Sequence, residues 1–131
     1  MPSLFAYGTL CNQNVQKILF GRTLPGRDYV LHGYTVCPCN DGFFTIKALS
    51  GSCVTGKILE LTDDDLAIAD EWELVPLYER IRLRSDSGET WTYIRSDMAD
   101  VTGENADGFS AYPEDELLNI VREFMMQRQQ P

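Results

Sequence analysis

Apolar and polar residues alternate in some stretches of the chain and recur with helical spacing in others. Six stretches predict strands, because each is rich in alternating, β-branched or aromatic residues. They are residues 3–7, 29–36, 43–49, 53–61, 78–84 and 91–94. Ser50-Gly51-Ser52 separates the third strand from the fourth, and Asp86-Ser87-Gly88 predicts a hairpin turn between the last two.

Three other stretches carry the end signals of helices. Asn12 or Asn14 is positioned to cap a first helix, which Gly21 would end. Thr62 is followed by three aspartates, and a threonine cap with acids in the first turn stabilises a helix start. Pro113 suits the first turn of a third helix, which carries an apolar stripe on one side.

The order of these elements indicates the fold class. Strands and helices do not alternate regularly, so the pattern favours an α+β fold with a curled antiparallel or mixed sheet over a doubly wound parallel sheet. The 131 residues show no internal repeat, low-complexity tract or linker. That length is typical of one core, and we therefore expect a single domain over residues 1–131.

Charge narrows the range of partners. The chain has 11 Lys and Arg against 20 Asp and Glu, which gives a formal charge of -9. Such a surface repels nucleic-acid phosphates and anionic lipid head groups, so we expect no nucleic-acid or membrane partner. The first residues lack the basic and apolar regions of a signal peptide, and no apolar run is long enough to span a bilayer. We expect a cytoplasmic protein.

The cysteines and the single histidine limit metal and nucleophilic chemistry. Without a secretory signal, Cys11, Cys37, Cys39 and Cys53 are expected to be free thiols. Cys37 and Cys39 are too close for the usual zinc knuckle and no second pair completes a site, so we expect no metal. A Ser–His–Asp or Cys–His arrangement would have to use His32, and only geometry could establish it.

The first candidate site is Tyr7-Gly8-Thr9-Leu10, where a predicted strand runs into a glycine. A glycine lets the backbone turn sharply and brings amide groups close to a ligand. Exposed N–H groups there can bind a carboxylate or carbonyl oxygen, with Tyr7 as a wall. An ordinary strand-to-loop turn is the alternative interpretation.

The second candidate lies in residues 60–79, which contain eight carboxylates and no Lys or Arg. Glu73 falls near the end of the helix that begins at Thr62, next to Trp72. Aromatic walls and neighbouring acids would raise its pKa, which suits general acid–base chemistry near neutral pH. A solvated acidic helix face is the alternative.

The arginines of the strand over 78–84 share one face. Arg80, Arg82 and Arg84 lie opposite Ile81 and Leu83, so a period of two favours a solvated face over an anion site. Burial of Arg80 beside an acid such as Asp70 is the alternative.

Taken in order, these motifs resemble those of the γ-glutamyl cyclotransferase-like family. The Tyr7–Leu10 loop resembles the family's signature loop. It is followed by Gly33-Tyr34, by the segment VTGKILEL over 54–61, by ADEWE over 69–73 and by Tyr78-Glu79-Arg80. The similarity runs from about residue 4 to residue 94. Ala69, Trp72 and Leu74 depart from the family pattern, which usually has a larger apolar residue, Tyr or Phe, and Gly at these positions.

The resemblance implies a small mixed, largely antiparallel β-barrel with about three flanking helices and a cavity at its mouth. It also implies a reaction in which the α-amine of a γ-glutamyl group attacks its own γ-carbonyl, giving 5-oxoproline and an amine or amino acid. By this resemblance Glu73 moves the protons, the backbone of Gly8, Thr9 and Leu10 holds the substrate's carboxylate and carbonyl, and Tyr7 lines the pocket. This chemistry requires no metal or cofactor.

Three questions stay open at this stage. A non-catalytic ligand-binding or interaction module on the same barrel is the alternative function, and the surroundings of Glu73 distinguish the two. The leaving group is also open among glutathione-like peptides, γ-glutamyl amines and ε-(γ-glutamyl)-lysine. So is the oligomeric state, because the apolar stripe over 117–125 could pack on its own barrel or on a partner.

Overall fold

Five strands form one sheet in a computed structural model of the chain, which describes residues 2–38, 44–73, 78–86, 88–95 and 112–128. The strands are β1 (Ser3–Ala6), β2 (Gly26–Pro38), β3 (Phe44–Glu60), β4 (Tyr78–Ser85) and β5 (Gly88–Arg95). Their order in the sheet is β2-β3-β1-β5-β4. The central strand β1 pairs antiparallel with β3 and parallel with β5. The predicted mixed, largely antiparallel α+β architecture is confirmed.

The three predicted helices are present: α1 (Gln13–Phe20), α2 (Asp63–Trp72) and α3 (Glu114–Arg128). Asn12, not Asn14, caps α1, because its side chain accepts hydrogen bonds from the N–H groups of Asn14 and Val15. Gly21 ends that helix in the left-handed conformation, with φ of 75°. At α2, Thr62 and Asp65 form a reciprocal capping box.

The predicted break at Ser50-Gly51-Ser52 is wrong, since β3 runs through it as one strand. The β2–β3 register shifts there: His32 pairs with Cys53, but Tyr34 pairs with Ala48. The extra residues of β3 form a bulge opposite Gly33, whose φ is 84°. Residues with turn chemistry thus bend the hairpin without ending the strand.

The sheet is curled but not closed, so "barrel" overstates its shape. Leu83 of β4 and Ile94 of β5 pack on an inner apolar cluster that is built mostly from β1, β2 and β3. The ion pair between Arg27 and Asp86 also links the start of β2 to the β4–β5 turn. No strand pairing joins the outer strands β2 and β4 within the described ranges.

Alternate residues of β1 face two different cores. Phe5 and Tyr7 point into the inner cluster, whereas Leu4 and Ala6 belong to a second cluster that the helices cover. Both apolar clusters therefore contact β1 and the residue that follows it. In the part of the chain that the structure describes, no helix is long and apolar enough to cross a membrane. Four features used in the sequence analysis lie outside the described residues: Phe43, Cys39, Leu74 and Ser87.

Candidate functional site

A pocket opens where β1 ends, and all five predicted site residues line it. Its atom-free space, part of which is open to solvent, amounts to about 380 Å³. Tyr7, Gly8, Thr9 and Leu10 form one wall, and Glu73 contributes from the end of α2. The rest of the described lining is apolar or aromatic: Leu4, Phe5, Ala6, Phe44, Tyr78 and Tyr93. Local motifs that lie more than 60 residues apart in sequence thus share one cavity.

The first wall is a tight turn. The N–H of Cys11 bonds to the carbonyl of Gly8 and the N–H of Asn12 bonds to that of Thr9, which closes a short 3₁₀ turn over Thr9–Cys11. The first N–H groups of a helical turn have no acceptor within that turn. Thr9 and Leu10 both line the pocket, so their N–H groups are candidate donors to a ligand oxygen.

Buried side chains hold this turn in place. The amide nitrogen of Gln16 donates to the carbonyl of Leu10 at 2.8 Å, and its oxygen accepts from the N–H of Leu24 at 2.8 Å. Tyr7 donates its hydroxyl to the carbonyl of Tyr93 on β5. Sequence reasoning missed Gln16, although a polar residue on the apolar side of α1 was a usable signal.

Glu73 is the C-cap residue of α2, and its N–H donates to the carbonyl of Ala69 at 2.9 Å. The residue is partly buried and lines the pocket. Burial raises the pKa of its carboxyl to about 8. The sequence predicted a raised pKa from both burial and neighbouring acids, but burial alone accounts for it. Near neutral pH this carboxyl is therefore available in both protonation states.

Trp72, next to Glu73, links the two walls of the pocket. Its indole N–H donates to the side-chain oxygen of Thr9 at 2.9 Å. Its ring packs edge-on against Phe124 of α3, with the ring centres 5.4 Å apart. The sequence predicted an aromatic wall at this position but not the hydrogen bond, which depends on the tertiary fold.

A polar chain extends from the pocket into the sheet. Tyr93 donates its hydroxyl to Oδ1 of Asp70 at 2.6 Å, and Nε of Arg80 lies 3.5 Å from the same oxygen. Burial, the bond to Asp70 and the charge of Glu73 all raise the pKa of Tyr93, so its phenol stays neutral. Tyr93 is thus a fixed hydroxyl-bearing wall beside Glu73.

The prediction of a solvated arginine face is wrong for Arg80. Arg82 is solvated as predicted, with a side chain 62% exposed, and Arg84 is exposed too. The Arg80 side chain is only 28% exposed, pairs with Asp70 and lies over the ring of Trp91. The alternative of an Arg80–Asp70 ion pair is confirmed, because Asp70 of α2 lies within ion-pair distance of Arg80.

None of the three cysteines that the structure describes lines the pocket. Cys11 and Cys37 are buried, Cys53 is exposed, and all three are free. Burial raises the pKa of the Cys11 thiol to about 12, and its sulfur donates to the carbonyl of Ala6. Among the residues that the structure describes, no group of His, Cys, Asp and Glu side chains could hold a metal ion.

Solved structures share this fold at low sequence identity. Two solution structures from Arabidopsis thaliana superpose with TM-scores of 0.65 and 0.63, at 20% and 22% identity, and cover 99% and 98% of this chain. The matches span 94% and 79% of those proteins. A structure named gamma-glutamyl cyclotransferase has a TM-score of 0.60 at 14% identity, covering 99% of this chain and 81% of its own.

Sequence comparison identifies the family. No curated protein matches the chain in sequence. The model of the family described as gamma-glutamyl cyclotransferase, AIG2-like, matches residues 4–113, which include the turn at the end of β1, α2 and the strands that line the pocket. The chain therefore belongs to the gamma-glutamyl cyclotransferase, AIG2-like family.

Proposed function

We propose that the protein is a γ-glutamyl cyclotransferase, which converts a small γ-glutamyl compound into 5-oxoproline and a free amine or amino acid. One observation carries the proposal: the desolvated carboxyl of Glu73 lies in the same pocket as the backbone turn from Gly8 to Leu10. A proton-transfer group and a set of backbone donors are the two devices that this cyclisation requires.

The proposed reaction starts with positioning. The N–H groups of the turn bind the α-carboxylate and the γ-carbonyl of the substrate, while Tyr7, Tyr78 and Tyr93 exclude water from its chain. Nucleophile and electrophile then belong to one bound molecule. A well-oriented intramolecular reaction gains roughly 7–11 kcal/mol over a bimolecular reference, which is why the proposal needs no metal or cofactor.

Glu73 moves the protons in the proposed scheme. Its carboxylate accepts a proton from the substrate's α-ammonium, and the freed amine attacks the γ-carbonyl carbon to form the new C–N bond. Backbone donors stabilise the negative charge on the carbonyl oxygen. Glu73 then delivers this proton to the leaving nitrogen as the old C–N bond breaks, and its regenerated carboxylate takes the second proton from the ring nitrogen to leave the neutral lactam. That proton passes to the released amine or to solvent, which restores the carboxylate. A pKa of about 8 suits both steps near neutral pH.

Free thiols and the acidic surface support a cytoplasmic location for this enzyme.

The direct test is to incubate the protein with glutathione, a γ-glutamyl amine and ε-(γ-glutamyl)-lysine, with and without a metal chelator, and to measure 5-oxoproline. We expect release from at least one compound, unaffected by the chelator. No release from any would contradict the proposal, and ligand binding without release would favour a non-catalytic module.

A further inference from the structure

Trp72 connects the two walls of the pocket. It is the last residue of α2, directly before Glu73, and its indole reaches across to the side chain of Thr9. Trp72 and Thr9 are both buried, at 9% and 5% exposure. A buried hydrogen bond of 2.9 Å therefore connects the residue beside the carboxyl to the turn that presents the backbone donors.

We propose that the hydrogen bond between Trp72 and Thr9 is a clamp that sets the spacing of the Glu73 carboxyl from the Gly8–Leu10 turn. Trp72 is then a positioning residue for the reaction, and the inference rests on the proposed function.

The location of the clamp explains why one bond matters. Helix ends fray, and Glu73 lies just beyond the last turn of α2. Phe124 of α3 packs against the Trp72 ring, and Thr9 accepts the hydrogen bond from its indole N–H. The indole is therefore held by two contacts at once. Without the bond, the end of α2 keeps its apolar packing but loses the hydrogen bond that joins the Trp72 indole to Thr9.

Ring closure is sensitive to such a loss. A displacement of about 1 Å in a catalytic group can lower a rate by about a hundredfold. A loosened pocket also admits water to the Glu73 carboxyl, which removes part of the desolvation that raises its pKa. Among the described residues, the titratable side chains that line the pocket with it are Tyr7, Tyr78 and Tyr93.

The experiment uses variants that remove one atom group at a time. Trp72→Phe removes the indole N–H and keeps an aromatic ring against Phe124. Thr9→Val removes the acceptor at nearly constant volume, whereas Thr9→Ser retains a hydroxyl. Thr90→Val is the matched control, since its buried hydroxyl pairs with Ser85 in the β4–β5 hairpin and does not line the pocket.

Two readouts are independent of turnover. The chain has two tryptophans, so its NMR spectrum contains two indole N–H signals, and Trp72→Phe identifies one of them by its loss. We expect Thr9→Val to shift this signal and to speed its exchange with solvent, while the Trp91 signal stays unchanged. We also expect the Glu73 carboxyl to titrate at a lower pH in Trp72→Phe and Thr9→Val than in the wild type and Thr90→Val.

Steady-state rates provide the third readout. We expect kcat to fall about tenfold in Trp72→Phe and Thr9→Val with a smaller change in KM, because the clamp acts on geometry in the transition state. Thr9→Ser should recover part of kcat.

An unmoved indole signal in Thr9→Val, or unchanged Glu73 titration and kcat, would overturn the clamp. A wild type that makes no 5-oxoproline overturns the proposed function instead, and the two NMR readouts still decide the clamp.

Discussion

In the proposed mechanism, the two sides of the pocket have different tasks and use different parts of the polypeptide. The turn side, Tyr7–Leu10, offers backbone N–H groups, and its position is set by strand pairing and by the buried Gln16. The helix side, Asp70–Glu73, offers a side chain whose chemistry is set by burial. Substitutions on the helix side should therefore change the chemistry directly, whereas those around the turn side should act through stability and position.

The largest expected effect is that of Glu73→Gln, which keeps the shape of the side chain but cannot accept a proton. General acid–base catalysis contributes about 10²–10⁴-fold, so we expect 5-oxoproline release to fall by about that factor while the NMR spectrum stays native. Turnover at the wild-type rate by this variant would remove Glu73 from the mechanism.

The same substitution has a predictable effect on stability. Because the pKa of Glu73 is raised from 4.5 to about 8 in the folded protein, the folded state binds a proton more tightly than the unfolded state does. The stability of the wild type should therefore decline as the pH rises from about 4.5 to about 8. Glu73→Gln should lack this decline, which denaturant unfolding at several pH values would show.

The next effect concerns the support of the turn side. Gln16→Met preserves side-chain length but leaves the carbonyl of Leu10 and the N–H of Leu24 buried without their partner. We expect a loss of about 2 kcal/mol in the free energy of unfolding. Gln13→Met, at an exposed position of the same helix, is the control and should change it little. Equal stability of the two variants would show that Gln16 does not anchor the turn.

A smaller effect on activity is expected from a substitution in the polar chain of Tyr93, Asp70 and Arg80. Asp70→Asn keeps an acceptor for Tyr93 but removes the charge that holds Arg80. We expect kcat to fall about tenfold, which corresponds to the loss of one charge-assisted contact. Asp63→Asn, in the exposed first turn of α2, should retain the wild-type kcat. Matching rates for both variants would show that the Asp70–Arg80 ion pair does not support the chemistry.

The smallest expected effect concerns the leaving group. Among the lining residues that the structure describes, Glu73 is the one charged side chain. A leaving group with its own carboxylate finds no cation there, so we expect kcat/KM for glutathione to be lower than for a γ-glutamyl amine by about threefold. A preference for glutathione in the same assay would contradict this interpretation.

The comparison also explains what the sequence could predict. Tyr7–Leu10 and Glu73 were predictable because each belongs to a local motif. Phe44, Tyr78 and Tyr93 reach the pocket only through pairing between distant strands, and the Trp72–Thr9 bond spans 63 positions. Likewise, Ser50-Gly51-Ser52 has turn chemistry, but pairing with β2 extends β3 through it as a bulge.

The most direct test of the central claim is to follow the Glu73 carboxyl carbon by NMR across a pH titration of the ¹³C-labelled protein, with Glu73→Gln identifying the signal. The account predicts a midpoint at about 8, displaced when 5-oxoproline occupies the pocket beside it. A midpoint near 4.5, insensitive to 5-oxoproline, would show an ordinary solvated carboxylate and would contradict the proposed catalyst.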